Sequence, residues 1–169
     1  GGALLKGHAS RMQVAERTIT YRKYEVFGRH VIDTWILAQH YDVTARELEG
    51  FGLKAIARHF GLAGPDRTYL PGERISAVFD TDPESLFRYA LDDVREVRAI
   101  SALLSQSYFV QAQIFPFSYQ NVALRGNATK IDALLIREYL RRRQAVPAPE
   151  PPQEVLGGYT EIAYQGVAR

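Results

Sequence analysis

The chain has 169 residues, 46% of them hydrophobic and 24% charged, which excludes a wholly disordered protein and suffices for one domain with a sizeable core. It has no cysteine, so disulfides, a thiol nucleophile and cysteine zinc sites are excluded, and no apolar run approaches the roughly 18 residues that a membrane span needs. Net charge is only +2, but residues 30–104 carry 12 acidic and 8 basic groups between two basic stretches, a pattern that a phosphate-binding surface beside a metal-binding carboxylate cluster would give and that chance gives as well. The first residues lack the long apolar stretch of a signal peptide, so a cytoplasmic location and no membrane partner are expected.

Residues 1–13 show no period and are expected to form a loop. Thr18, Ile19, Thr20, Tyr21, Tyr24, Val26 and Phe27, followed by Gly28 and then Arg29 to Asp33, predict a β-hairpin over 16–33. Thr34 is expected to cap a short helix through Trp35, Ile36, Leu37 and Gln39, and Thr44-Ala45-Arg46-Glu47 fits a capping box. A second short helix runs from Leu53 to Phe60, with Ile56 and Ala57 on its apolar face and Gly61 as its stop. Gly64-Pro65-Asp66 and Pro71-Gly72 make 61–80 an irregular connection. Asp82 as N-cap, Pro83 at the first helical position and Glu84 behind it open a long helix over 83–113. Another is expected over 118–143, clearest from Asn127 onward and ending in a solvated Arg141-Arg142-Arg143. Val146 to Pro152 is a stiff linker, and Gly157-Gly158-Tyr159-Thr160-Glu161-Ile162 reads as a turn into a strand. The fold class is α/β of the α+β kind, a β-hairpin plus long helices, helix-rich.

The helix opened by Pro83 contains an anomaly. At about 100° per residue, Leu86, Ala90, Val97, Ile100 and Leu104 form one apolar stripe, and Asp93 falls in its middle. A carboxylate on a core-facing stripe is costly unless it is paired or binds a metal. Tyr89 lies one turn earlier, near the same face. The residues alone leave two roles open for Asp93: a cap or arginine partner, or a metal ligand with a phenol beside it.

The spacing Tyr-x-x-x-Asp, here Tyr89-Ala90-Leu91-Asp92-Asp93, resembles the third exonuclease motif of the family B DNA polymerases. Its surroundings resemble that family too. Gly28-Arg29-His30-Val31-Ile32-Asp33 leads into a short helix, and Gly52-Leu53-Lys54-Ala55-Ile56-Ala57 opens the next. Arg125-Gly126-Asn127-Ala128 opens a basic helix, and a proline-rich stretch precedes Gly157-Gly158-Tyr159. The resemblance covers residues 16–169. It implies a partial ribonuclease H-like exonuclease fold and a 3′–5′ proofreading activity that hydrolyses phosphodiesters with two divalent metals, Mg2+ or Mn2+, held by four carboxylates. Asp93 would be one ligand and Tyr89 would orient the attacking water. Arg125, Gly157, Gly158 and Tyr159 would contact DNA, the primer-template or a single-stranded 3′ end. Residues 1–115 would be the C-terminal part of the exonuclease domain, 116–145 a helix leading toward the polymerase domain, and 146–169 a proline-rich linker and the start of the palm-side region.

The family's first two exonuclease motifs, which carry the other carboxylates, are absent; Asp82-Pro83-Glu84 spells Asp-x-Glu but sits at a helix start. The chain therefore reads as an internal piece that holds no metal stably and is inactive without the rest of its parent chain. The alternative is a non-catalytic ribonuclease H-like module that binds DNA. The four histidines have no metal spacing, Asp80, Asp82 and Glu84 lack the glycine of a calcium loop, and Tyr108, Phe109, Phe115, Phe117 and Tyr119 are expected mostly to pack.

Overall fold

The computed structural model describes residues 6–151; the expected turn at Gly157-Gly158-Tyr159 lies outside them. The chain starts with an antiparallel hairpin of β1 (Lys6–Val14) and β2 (Arg17–Glu25), in register from Lys6 opposite Glu25 to Val14 opposite Arg17. The hairpin thus lies earlier than the predicted 16–33, and most of the expected N-terminal loop is its first strand. β1 has few β-branched or aromatic residues, so apolar patterning could not reveal it; the backbone ladder holds it. The turn runs through Ala15, whose φ of 50° has the sign that the mirror-image hairpin turns need. Gly28 does make a turn, at φ 70°, closing a single bridge between Val26 and Arg29, but the chain beyond it does not return as a strand. The hairpin is tied to the helices by buried Gln120, whose Nε2 donates to the Tyr24 carbonyl at 2.8 Å while its Oε1 accepts from the Val31 amide at 3.1 Å.

Helix α1 (Thr34–Ala45) is capped by Asp33, one residue before the expected Thr34; the Asp33 carboxylate accepts from the Trp35 amide at 2.9 Å. The predicted capping box at Thr44–Glu47 is instead a helix end. Arg46 is left-handed at φ 52°, and the Asp42 carboxylate accepts from the amides of Glu47 and Leu48, both at 3.0 Å. Helix α2 (Leu53–His59) ends as expected at Gly61, whose φ of 64° lets the Leu62 amide reach the Ala57 carbonyl at 2.8 Å. The supposedly irregular stretch 61–80 contains a 3₁₀ turn (Gly72–Arg74) and α3 (Ile75–Thr81).

Helix α4 (Pro83–Leu104) begins where the sequence places it, with Asp82 accepting from the Ser85 amide at 3.2 Å; the Ser85 hydroxyl and then its amide hold the Asp82 carboxyl below its usual range. It packs against α1, α2 and α3. Ile100 of α4 meets Ala38, Ile56 and Ala57 in the core, with Leu53, Phe60, Leu62 and Leu104 around them. Ile100→Ala should therefore lower the unfolding free energy by about 2–5 kcal/mol in urea titrations, since a fully enclosed site collapses poorly around the lost methylenes. A loss below that range would mean that this cluster is not the centre of the core.

The two expected long helices are each broken. After α4, Ser105 leads into α5 (Gln106–Ile114), which stops at Phe115 because the residue before Pro116 avoids the helical region; its ψ is 145°. Then come α6 (Tyr119–Leu124), capped by Ser118, and α7 (Asn127–Arg141), separated by the extended pair Arg125-Gly126. Glu138 accepts from Arg141 and Arg142 at 2.8–3.0 Å, which brings its carboxyl down to about 2 and leaves this helix end solvated, as the sequence implied. The described residues form a mixed, helix-rich α/β fold with one two-stranded hairpin and seven α-helices. No described helix is long and apolar enough to cross a membrane.

Candidate functional site

Three carboxylates on α4 (Asp92, Asp93 and Glu96) grip the loop that follows α2. The Arg67 guanidinium is the target of Asp93 and Glu96. Its Nε donates to Glu96 Oε1 at 2.6 Å and its Nη2 to Glu96 Oε2 at 3.0 Å, a bidentate pair. Nη2 also donates to Asp93 Oδ1, and Nη1 to the Thr68 carbonyl. Next to it, the Thr68 amide donates to Asp92 Oδ2 at 3.0 Å, while Arg95 sits 3.5 Å from Asp92 Oδ1. The Arg67 and Glu96 side chains are 2% and 4% exposed, so this is a buried ion pair; Asp93, 31% exposed, forms its outer side. The bonds to Glu96 raise the Arg67 pKa above its ordinary value, and the Thr68 amide lowers that of Asp92.

Asp93 therefore lies on the packed side of α4, beside Arg67, but the surrounding stripe differs from the expected one. Ile100 is buried and Leu86 and Leu104 are half-buried, whereas Ala90 is exposed and Val97 is 40% exposed. The inward face is turned toward Tyr89, Asp93 and Glu96, because a buried Arg67 must be paired, whereas exposing the small Ala90 side chain costs little. Arg67 and Glu96 escaped the sequence reading. Glu96 follows Asp93 by one helical turn, and this carboxylate ladder beside a core position was the signal that a buried cation must face it.

Tyr89 and Tyr69 frame the same site. The Arg67 guanidinium carbon lies 4.7 Å from the Tyr69 ring centroid and 5.4 Å from that of Tyr89. The Lys54 ammonium approaches from α2, 4.6 Å from the Tyr89 ring and 5.5 Å from that of Tyr69. Such contacts favour a cation over an aromatic face. The third expected position, Arg125, is exposed in the extended link before α7, and Gly157, Gly158 and Tyr159 lie outside the described residues. A groove of about 400 Å³ opens on the Asp92 side of α4, lined by Arg67, Arg88, Asp92 and Arg95 among others.

Among the described residues, no three His, Asp or Glu side chains converge as a cation would require. The residues present do not fit a two-metal site by themselves. Both oxygens of Glu96 and of Asp92 are engaged, and Asp93 Oδ2 alone has no hydrogen-bond partner among them.

A second polar cluster lies away from this site. His40 Nε2 faces the Ala123 carbonyl at 3.2 Å, and buried Lys130 donates to Gln111 Oε1 at 2.8 Å, with its ammonium 5.6 Å from the Tyr108 ring. Burial pushes the His40 and Lys130 pKa values down and that of Tyr108 up; Lys130 lowers His40 further. The unfolded chain thus takes up the His40 proton more readily. The stability from a neutral His40 is complete above the unfolded pKa, about 6.5, and is lost as pH falls through the folded value. Thermal melts of His40→Gln should vary less between about pH 7 and pH 5 than those of the wild type; parallel curves would remove His40 as the cause.

No family profile, no curated protein and no solved structure matches the chain.

Proposed function

We propose that this chain belongs to the 3′–5′ exonuclease domain of a family B DNA polymerase, with a ribonuclease H-like fold completed by other parts of the parent protein. One observation carries the reading: of the three α4 carboxylates at the Arg67 loop, Asp93 alone keeps an oxygen without a hydrogen-bond partner among the described residues, and it does so in the Tyr-x-x-x-Asp motif with Tyr89 on the same inward side. In this reading Asp93 is the share of the metal-binding carboxylates that this chain contributes, the Tyr89 hydroxyl orients water, and Arg67 fixes the Asp93 rotamer from behind. The substrate is a single-stranded DNA 3′ end, and the divalent metal, Mg2+ or Mn2+, needs carboxylates from outside this chain. Arg125 and the residues Gly157, Gly158 and Tyr159 contact DNA in this reading, in the part of the sequence that leads toward the polymerase domain.

The test is digestion of 5′-labelled single-stranded DNA by the full-length parent protein in magnesium, with the Asp93→Ala variant beside it. Shortening from the 3′ end by the wild type and none by the variant supports the proposal. DNA binding without digestion by the wild type favours a non-catalytic binding module instead.

A further inference from the structure

Among the described residues, Lys54 is the cation at this site that the ion-pair network leaves unused. Arg67 spends its donors on Glu96, Asp93 and the Thr68 carbonyl. Lys54, half-buried on α2, has neither a carboxylate within ion-pair distance nor a hydrogen bond from its ammonium among the described residues. No buried side-chain nitrogen or oxygen among these residues lacks a partner, so the ammonium reaches solvent. Two tyrosine rings flank it, and the same two rings flank Arg67, which is bonded to Asp93. Any phosphodiester that approaches Asp93 meets three carboxylates, Asp92, Asp93 and Glu96, against the two guanidinium groups of Arg67 and Arg95. That surplus repels it, and Lys54 is the positive charge placed to offset the surplus.

We propose that Lys54 is a substrate-binding residue that contacts a phosphate of the single strand entering the Asp93 site, and that the ring of Tyr69, a residue 55% exposed, offers a stacking surface to a base of that strand. This rests on the exonuclease reading for its substrate, but its test contains no chemical step. The full-length parent protein is titrated with a 5′-fluorescein-labelled oligothymidylate in EDTA at a series of salt concentrations, with binding followed by fluorescence anisotropy.

Lys54→Gln should weaken binding at low salt, converge with the wild type at high salt, and reduce the slope of log K against log salt by about 0.7, the value for one single-strand phosphate contact. Lys54→Arg should keep the wild-type slope. Tyr69→Leu should weaken binding by about tenfold with the slope unchanged. If Lys54→Gln melts at a much lower temperature than the wild type, the slope is read on Lys54→Met, which keeps the apolar stem. Wild-type slope and affinity in the neutral Lys54 variant overturn the proposal. If that happens while Asp93→Ala has lost digestion, the exonuclease reading stands and the phosphate contact alone fails. If the slope falls while Asp93→Ala still digests, the contact stands and the exonuclease reading fails.

Discussion

Arg67→Ala should lower the unfolding free energy by about 3–5 kcal/mol, a large fraction of the stability of a domain this size. The variant leaves the Glu96 carboxylate buried at 4% exposure with no cation, and it frees Asp93 and the Thr68 carbonyl at the same time. The loss reflects an orphaned charge, not the worth of the pair. Replacing both partners, Arg67→Met with Glu96→Leu, should recover most of it, because apolar groups of similar volume need no desolvation of charge. Urea unfolding of the wild type, the single variant and the double variant measures both. A single variant within about 1 kcal/mol of the wild type would mean that the guanidinium is not buried against α4 in solution.

On the proposed exonuclease reading, Asp93→Ala in the full-length parent protein should reduce 3′-end degradation by more than about 10³-fold, beyond what removal of a single hydrogen-bond donor costs. Polymerisation should stay near wild type, because the resemblance assigns it to another domain. Asp93 also holds Arg67, so a lost activity could come from a loosened loop. Asp93→Asn separates the two causes: its amide oxygen still accepts from Arg67, but its charge is gone. Wild-type melting with lost digestion in Asp93→Asn supports a direct role, and retained digestion sinks the assignment. Tyr89→Phe should slow degradation by up to about 10²-fold without abolishing it, since one oriented hydroxyl supplies only part of the stabilisation.

The sequence made some elements legible because their signals are local. Asp82 before Pro83 marked the start of α4, Gly61 marked the end of α2, and the anomaly at Asp93 pointed to the face of α4 that meets Arg67. Each depends on backbone caps or on side chains within one helical turn. The misplaced elements depend on distant contacts. β1 carries no apolar alternation and is visible only as the ladder it forms with β2. The Thr44–Glu47 box was read as a helix start, yet the Asp42 side chain, on the preceding turn, takes both free amides and makes it an end.

What the sequence by itself determined, then, is the helix-rich α+β class, the position of α4, and the Tyr89–Asp93 pair on its inward side. Tertiary structure alone decided that Arg67, from a glycine- and proline-rich loop, is buried against Asp93 and Glu96, and that Lys54 of α2 shares its two tyrosines. The reason is physical: a helix repeats its own geometry, so its faces can be computed from spacing, whereas a loop arginine 26 residues before Asp93 reaches it only after α2 and α4 have packed.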